Sequence, residues 1–307
     1  MMRKYSFLVW LSLLSALILQ ANCSSESKED DPTPSEDPNP IEREVGVWPM
    51  SGTSDPDELA STYGPRILSG NYDFHRGFDV RAPTGTPVHA ILAGTVVRVE
   101  EGVAGTSLER FGKFIVIAHP GVTGAAQRQT VYLHLDSFGV SEGDQVAMGE
   151  EIGKSGKSGV GINTEHLHFE YHIGVNDGKQ SRLNTRSPMR ILPYAKQEYT
   201  LTVAKSDQTL TVQITEDDAS TDLVAFKFVP KGFSEKVIDF ETRTGIDPAN
   251  EDTNPFGGVT ITPGTFVPSS ESYELQFELS GAWETLSELS LELKDVQDST
   301  QTFTFNF

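Results

Sequence analysis

Apolar residues recur along this chain in short runs of β-branched and aromatic side chains bounded by Gly, Pro and Asp, and no long stretch shows the spacing of an amphipathic helix. The pattern predicts strands at 86–99 with a turn at Gly94, and at 114–118, 130–135, 146–152 and 167–173. After Tyr194 the runs are short and alternating, as at 209–214, 223–229, 273–279, 289–293 and 302–307, with turn-rich segments such as 247–258 between them. Such a series reads as a β-sandwich of about 110 residues. Phe303, Phe305 and Phe307 alternate with polar residues, as a closing strand with one buried face does. The expected fold class is mostly β, an antiparallel sheet domain over 46–195 followed by a β-sandwich over 196–307.

The amino-terminal pattern is different. Arg3 and Lys4 precede an apolar stretch from about Phe7 to Leu19, too short to span a bilayer and of the right length for a signal peptide over 1–22. Cys23 follows directly and is the only cysteine, so neither an intramolecular disulfide nor a thiolate metal site can form. Its position resembles the lipidated residue of bacterial lipoproteins, which implies a membrane attachment through a lipid anchor in the cell envelope, at the outer membrane of a Gram-negative bacterium. Gln20 and Asn22 stand where Leu and a small residue are usual, so cleavage after Ala21 is the alternative. Residues 23–45 then carry Ser, Glu, Asp and Pro with almost nothing apolar, which makes them a tether stiffened by Pro32, Pro34, Pro38 and Pro40. The acidic run at 27–31 reads equally as solvated linker or as a resemblance to the export tag of some Bacteroidetes-type lipoproteins.

At 307 residues the chain can bury more than one core. Its 44 acidic against 24 basic residues give a net charge of −20, which argues against nucleic acid as a partner, because phosphate binding needs clustered Lys and Arg.

Two motifs carry the chemistry. HRGFD at 75–79 and HLHFE at 166–170 together supply two histidines and an aspartate, enough to hold one metal ion and leave a fourth position for water, the arrangement of a catalytic site. In the second motif Leu167, Phe169 and Tyr171 alternate with His166, His168, Glu170 and His172, so the two leading histidines share one strand face. One can ligate and its neighbour can reach a substrate. His75 and Asp79 are expected on a turn that enters a strand, since Gly77 and the neighbouring Asn71, Asp73 and Pro83 disfavour a helix. His134 alternates onto the face of Tyr132 and suits proton transfer. His119 reads as structural or exposed, His89 as packed, and His172 as peripheral, about 13 Å from His168 along an extended strand.

YGPR at 63–66, HRGFDVRAPTGTPVHAILAGTV at 75–96, YLHL at 132–135, VSEGDQVAMGEEIGKSGKSG at 140–159 and HLHFE at 166–170 resemble the lysostaphin-like (LytM-type) zinc metallopeptidases over about 48–193. The resemblance implies one zinc ion held by His75, Asp79 and His168, with His134 and His166 as the two catalytic histidines that do not bind metal. It implies peptidoglycan as substrate and hydrolysis of amide bonds in its stem peptides or cross-links. His89 stands where the family has Tyr, and 122–130 is longer than usual. Loops 102–112 and 155–163, punctuated by glycine, are expected to line a groove for an extended peptide. The rival expectations are a non-enzymatic wall-binding or regulatory lipoprotein that retains the metal site, or a chain whose sandwich does the main work as an adhesion or carbohydrate-binding domain.

Overall fold

In a computed structural model of the chain, residues 45–50, 59–68, 71–120, 128–174, 184–193, 199–206, 209–216, 222–232, 234–245, 259–263, 271–278 and 286–307 are described. The signal segment, Cys23 and the acidic tether up to residue 44 lie outside the described residues, as do 122–127 of the long segment and the turn region 247–258. Among the described residues there is no α-helix, and no helix is long and apolar enough to cross a membrane.

The first half is built from β1 (Leu59–Ser61), β2 (Gly64–Leu68), β3 (Asn71–His75), β4 (Phe78–Arg81), β5 (Pro87–His89), β6 (Gly94–Glu101), β7 (Lys113–His119), β8 (Arg128–Leu135), β9 (Ser137–Phe138), β10 (Gln145–Val146), β11 (Glu151–Lys154), β12 (His166–Ile173) and β13 (Thr185–Arg186). One large sheet runs β1-β4-β12-β8-β7-β6-β10, with β13 also paired to β12, and its strand pairs are antiparallel. A small sheet, β5-β11-β9, lies against it, and β2 with β3 forms a separate hairpin. Val88 and Ile152 of the small sheet join Val96, Ile115, Tyr132, Leu167, Phe169 and Tyr171 of the large one in a single apolar core. Phe114, Val116, Val131 and Leu133 form a smaller cluster. β7 and β8 contribute to both, the first through Ile115 and Tyr132 and the second through Phe114 and Leu133, so apolar packing covers both of their faces.

Two expected strands divide differently. The run 146–152 is split into β10 and β11 by a turn at 147–150, where the Glu150 side chain accepts from the Ala147 N–H at 2.9 Å and the Glu150 N–H donates to the Ala147 carbonyl at 3.1 Å. Gly94 is not the turn within 86–99 but the first residue of β6, where a Cβ would lie 2.4 Å from the Ala118 carbonyl oxygen of the adjacent strand.

The second half is β14 (Tyr199–Ser206), β15 (Thr209–Glu216), β16 (Leu223–Pro230), β17 (Lys236–Asp239), β18 (Val259–Pro263), β19 (Glu271–Glu278), β20 (Glu288–Asp295) and β21 (Thr300–Asn306). They form two antiparallel four-stranded sheets, β14-β15-β19-β18 and β17-β16-β20-β21. Val212 and Ile214 of one sheet pack with Phe226, Phe228, Leu291 and Leu293 of the other, as a sandwich requires. Phe305 is buried in this core and Phe303 packs against it, while Phe307 is exposed. Tyr63 and Phe74, from the other half of the chain, belong to the same cluster.

The turn from β3 to β4 tolerates no side chain at Gly77, where a Cβ would stand 2.0 Å from the Phe169 carbonyl oxygen in β12. Gly77→Ala is expected to destabilise the fold by ~2 kcal/mol or more, since backbone must move to admit the methyl group. Thermal unfolding of the variant against the parent measures it, and an unchanged midpoint contradicts the close approach.

Candidate metal centre

Strand register assembles the centre. β4 and β12 pair with His168 opposite Asp79 and His166 opposite Arg81, and directly opposed residues project from the same sheet face. His168 Nδ1 therefore meets Asp79 Oδ1 at 2.8 Å. His75 ends β3 and is folded back by the two-residue turn, which brings its Nε2 to 3.0 Å from His168 Nδ1 and 3.3 Å from Asp79 Oδ1. A tetrahedral zinc ion with ligands at about 2.05 Å separates them by about 3.3 Å, so these three atoms trace one face of such a tetrahedron to within about half an ångström. His75, Asp79 and His168 are the one group of this kind among the described residues. The donor set suits a divalent ion of zinc type.

Each imidazole has its other nitrogen engaged. His75 Nδ1–H donates to the Thr62 carbonyl at 2.7 Å, and His168 Nε2–H donates to Glu170 Oε1 at 3.1 Å. Glu170 is held in turn by His172, whose Nε2 lies 2.7 Å from Oε2. Asp79 is fixed through its second oxygen, which accepts from Arg66 Nη1 at 3.0 Å, while Arg66 also binds Asp73 at 2.6 Å and the Ser61 hydroxyl at 2.9 Å. Such partners fix the tautomer and the aim of metal ligands.

His134 corrects one expectation. Strict alternation puts it on the Tyr132 face, yet Tyr132 is in the core and the His134 ring lies 4.8 Å from that of His166 and 5.8 Å from that of His168. Its backbone φ of +64° breaks the alternation at the end of β8 and turns the side chain to the metal face. Two loops hold it there: its N–H donates to the Phe111 carbonyl at 3.0 Å and its Nδ1–H to the Ser158 carbonyl at 3.2 Å. His166 Nδ1–H donates to the Thr164 carbonyl at 3.0 Å, and its Nε2 stands 3.7 Å from Asp79 Oδ1.

The electrostatics separate these groups. Burial, with the Arg66 guanidinium, holds His75 down at about 4 against the pull of Asp79. Burial, with the neighbouring imidazoles of His168 and His166, holds His134 down at about 3. Burial also opposes the charged form of His168, but the Asp79 and Glu170 carboxylates outweigh it and lift the group to about 9. Burial would raise both carboxyls, yet His75 and His168 keep Asp79, and His168 and His172 keep Glu170, below the usual range.

Arg66 and Glu170 carry roles that the motifs did not disclose. Glu170 was findable, as a carboxylate two residues from a ligand on the same strand face. Arg66 reaches Asp79 from another strand and left no spacing signal. His172 is not peripheral: it is buried and holds the carboxylate that holds His168. His119 is structural as expected, buried with Nδ1 2.9 Å from the Ala93 carbonyl and Nε2 2.8 Å from the Thr130 hydroxyl.

The β-sheet domain thus aims two imidazoles and a carboxylate at one point, a group able to hold a metal ion, with two further imidazoles beside it. Residues 73–183 match the family described as Peptidase family M23. It is 33% identical over 119 residues to the peptidoglycan DD-endopeptidase ShyC of Vibrio cholerae, covering 38% of this chain and 24% of the relative. It is 39% identical over 109 residues to lysostaphin of Staphylococcus simulans, covering 35% and 20%. Over 154 residues it is 28% identical to the uncharacterized lipoprotein YgeR of Escherichia coli, covering 50% and 49%. The chain thus spans less than half the length of each of these relatives.

Glu170→Gln removes the charge that orients His168 while keeping the shape, and is expected to weaken divalent-metal affinity ~10-fold in a chelator competition. Affinity equal to the parent would remove Glu170 from the centre. A second expectation concerns pH. His75 and His134 sit below the ordinary 6.5, so the unfolded chain takes up protons that the folded chain refuses, and stability falls as pH drops from 6.5 toward about 4. His134→Asn, with a residue that tolerates positive φ, should flatten the slope of melting temperature across that window.

Proposed function

We propose that this chain is a zinc-dependent endopeptidase that hydrolyses amide bonds in peptidoglycan stem peptides or cross-links. The observation that carries the reading is the convergence of His75, Asp79 and His168 on one point, with His134 and His166 beside them and one nitrogen of every imidazole already committed. The family match and the relative named a peptidoglycan DD-endopeptidase support the same substrate class.

His75 Nε2, Asp79 Oδ1 and His168 Nδ1 would hold the zinc. When bound, the ion supplies a polarising charge for the scissile carbonyl and makes water acidic near neutral pH. His134 and His166 both donate from Nδ1 to a backbone carbonyl, so each presents an Nε2 lone pair to the substrate side. Burial disfavours the charged form of His134, which leaves its Nε2 as the proton acceptor and makes any proton taken there easy to pass to the leaving amine. His166, less buried and next to it, is the group left to face the developing oxyanion, toward which its Nε2 donates only when that nitrogen also carries a proton. Loops 102–112 and 155–163 back His134 through the Phe111 and Ser158 carbonyls.

The signal segment, a lipid on Cys23 and the tether over 23–45 would place the folded part, a peptidase domain over 46–195 and a sandwich over 196–307, in the cell envelope of a Gram-negative bacterium. Within that compartment the substrate best supported is the D,D-cross-link, as in ShyC by its name.

Incubation of the zinc-loaded chain from Val45 with purified peptidoglycan should release new amino termini detected by mass analysis, and a chelator should abolish them. His134→Asn and His166→Ala should each lower turnover ~100-fold or more while still binding one zinc per chain. His75→Ala, Asp79→Ala and His168→Ala should lose the metal itself. Unchanged muropeptides across metals and pH would defeat the proposal in favour of a binding protein.

A further inference from the structure

One turn of the sandwich reaches the supports of the metal centre. Residues 239–245 are closed by Asp239, whose Oδ1 accepts from the N–H groups of Glu241 and Thr242 at 2.8 Å each. The turn delivers Phe240, Glu241 and Arg243 to the other half of the chain. Arg243 is 6% exposed and has a φ of +62°, a conformation that a non-glycine residue keeps only where its surroundings impose it.

The guanidinium of Arg243 bonds beside both elements that bring the ligands together, to the residue that precedes β2 and to β13, which pairs with β12. Its Nη1 donates to the Tyr63 hydroxyl at 2.8 Å, and its plane lies over the Phe74 ring at 4.3 Å. Tyr63 follows Thr62, whose carbonyl holds His75, and Phe74 immediately precedes His75. Its Nη2 donates to the Thr185 hydroxyl at 3.0 Å, and Thr185 is paired in register with His172 of β12, the strand that carries His168. The Tyr63 hydroxyl lies within reach of the Thr185 carbonyl at 3.2 Å and the Phe240 carbonyl at 3.0 Å, so the three elements share one buried knot.

Glu241 provides a second fixing. It accepts from the Ser187 N–H at 2.9 Å and from Arg190 Nε at 2.8 Å, and Arg190 continues to the Val296 carbonyl at 3.1 Å. Glu241 and Arg243 lie beyond both the residues 73–183 that match the peptidase family and the wider resemblance to 193, so what the turn contributes is an addition to that part of the chain.

We propose that the 239–245 turn is a positioning device, in which Arg243 sets the spacing between the β2–β3 hairpin and β12 and thereby the spacing of His75 and His168. The sandwich is then needed for metal affinity and turnover, and not for delivering substrate. This rests on the reading of the centre as a zinc site.

The test uses the two-domain chain from Val45 in four forms: parent, Arg243→Met, Arg243→Lys and, as a control on the sandwich surface, Lys227→Met. Zinc affinity is read by chelator competition, kcat and KM on peptidoglycan, and folding by the cooperativity of melting. Arg243→Met is expected to melt cooperatively, to lose ~10-fold in zinc affinity and to lower kcat with KM unchanged. Arg243→Lys should recover part of both losses, and Lys227→Met should match the parent. Parental zinc affinity and kcat in a folded Arg243→Met protein overturn the proposal, as does a rise in KM alone, which would place the sandwich in substrate binding. If Arg243→Met does not fold, Thr185→Val removes one acceptor only, and unchanged zinc affinity there overturns the proposal equally. A parent that binds zinc but leaves peptidoglycan intact defeats the enzymatic reading while the affinity series still decides the role of Arg243. A parent that binds no zinc overturns both.

Discussion

An imidazole can face a metal or a substrate usefully only if its second nitrogen is committed elsewhere, and this centre depends on that commitment at four places. Thr62, Ser158 and Thr164 offer backbone carbonyls, and Glu170 offers a carboxylate. Carbonyls are acceptors only, so they settle the tautomers of His75, His134 and His166 without adding charge. Glu170 does add charge, and it does so at the ligand that shares a face with Asp79. Burial drives His75 and His134 down, while at His168 the Asp79 and Glu170 carboxylates together outweigh it and the group goes up.

Much of the centre could be read from residue order because its candidate ligands sit on regular strands. A period of two put His166 and His168 together and, with them, Glu170. The register between β4 and β12 then did the rest, since opposed residues must share a face. Where the backbone left the regular pattern, the reading failed. His134 reaches the site through one residue of positive φ, which no apolar alternation announces. The break between β10 and β11 depends on a side chain closing its own turn, and Gly94 marks a close approach of two strands where a turn was expected. Arg66 and Arg243 act across the chain, over 13 and 180 residues, and contacts of that reach leave no local mark.

The two halves of the chain are less separate than their patterns suggest. Tyr63 and Phe74 lie in the same apolar cluster as Phe226, Phe240 and Leu291 of the sandwich, while Val224 and Val296 of the sandwich lie in the cluster of the first half. Apolar surface is thus exchanged in both directions, with the Arg190 and Glu241 pair set into the junction. A buried pair of this kind contributes little net stability but penalises any arrangement that separates its members. The junction therefore favours one mutual orientation.

The loops beside His134 are sewn to each other. Val160 N–H donates to the Glu109 carbonyl and Lys113 N–H to the Ser158 hydroxyl, both at 2.8 Å, and added Cβ atoms at Gly112 and Gly159 would fall 2.3 and 2.4 Å from the opposite loop. Neither can swing aside without dragging its partner. The imidazole of His134 is therefore backed by a doubled wall, and a change in either loop would be felt at its ring through the Phe111 and Ser158 carbonyls.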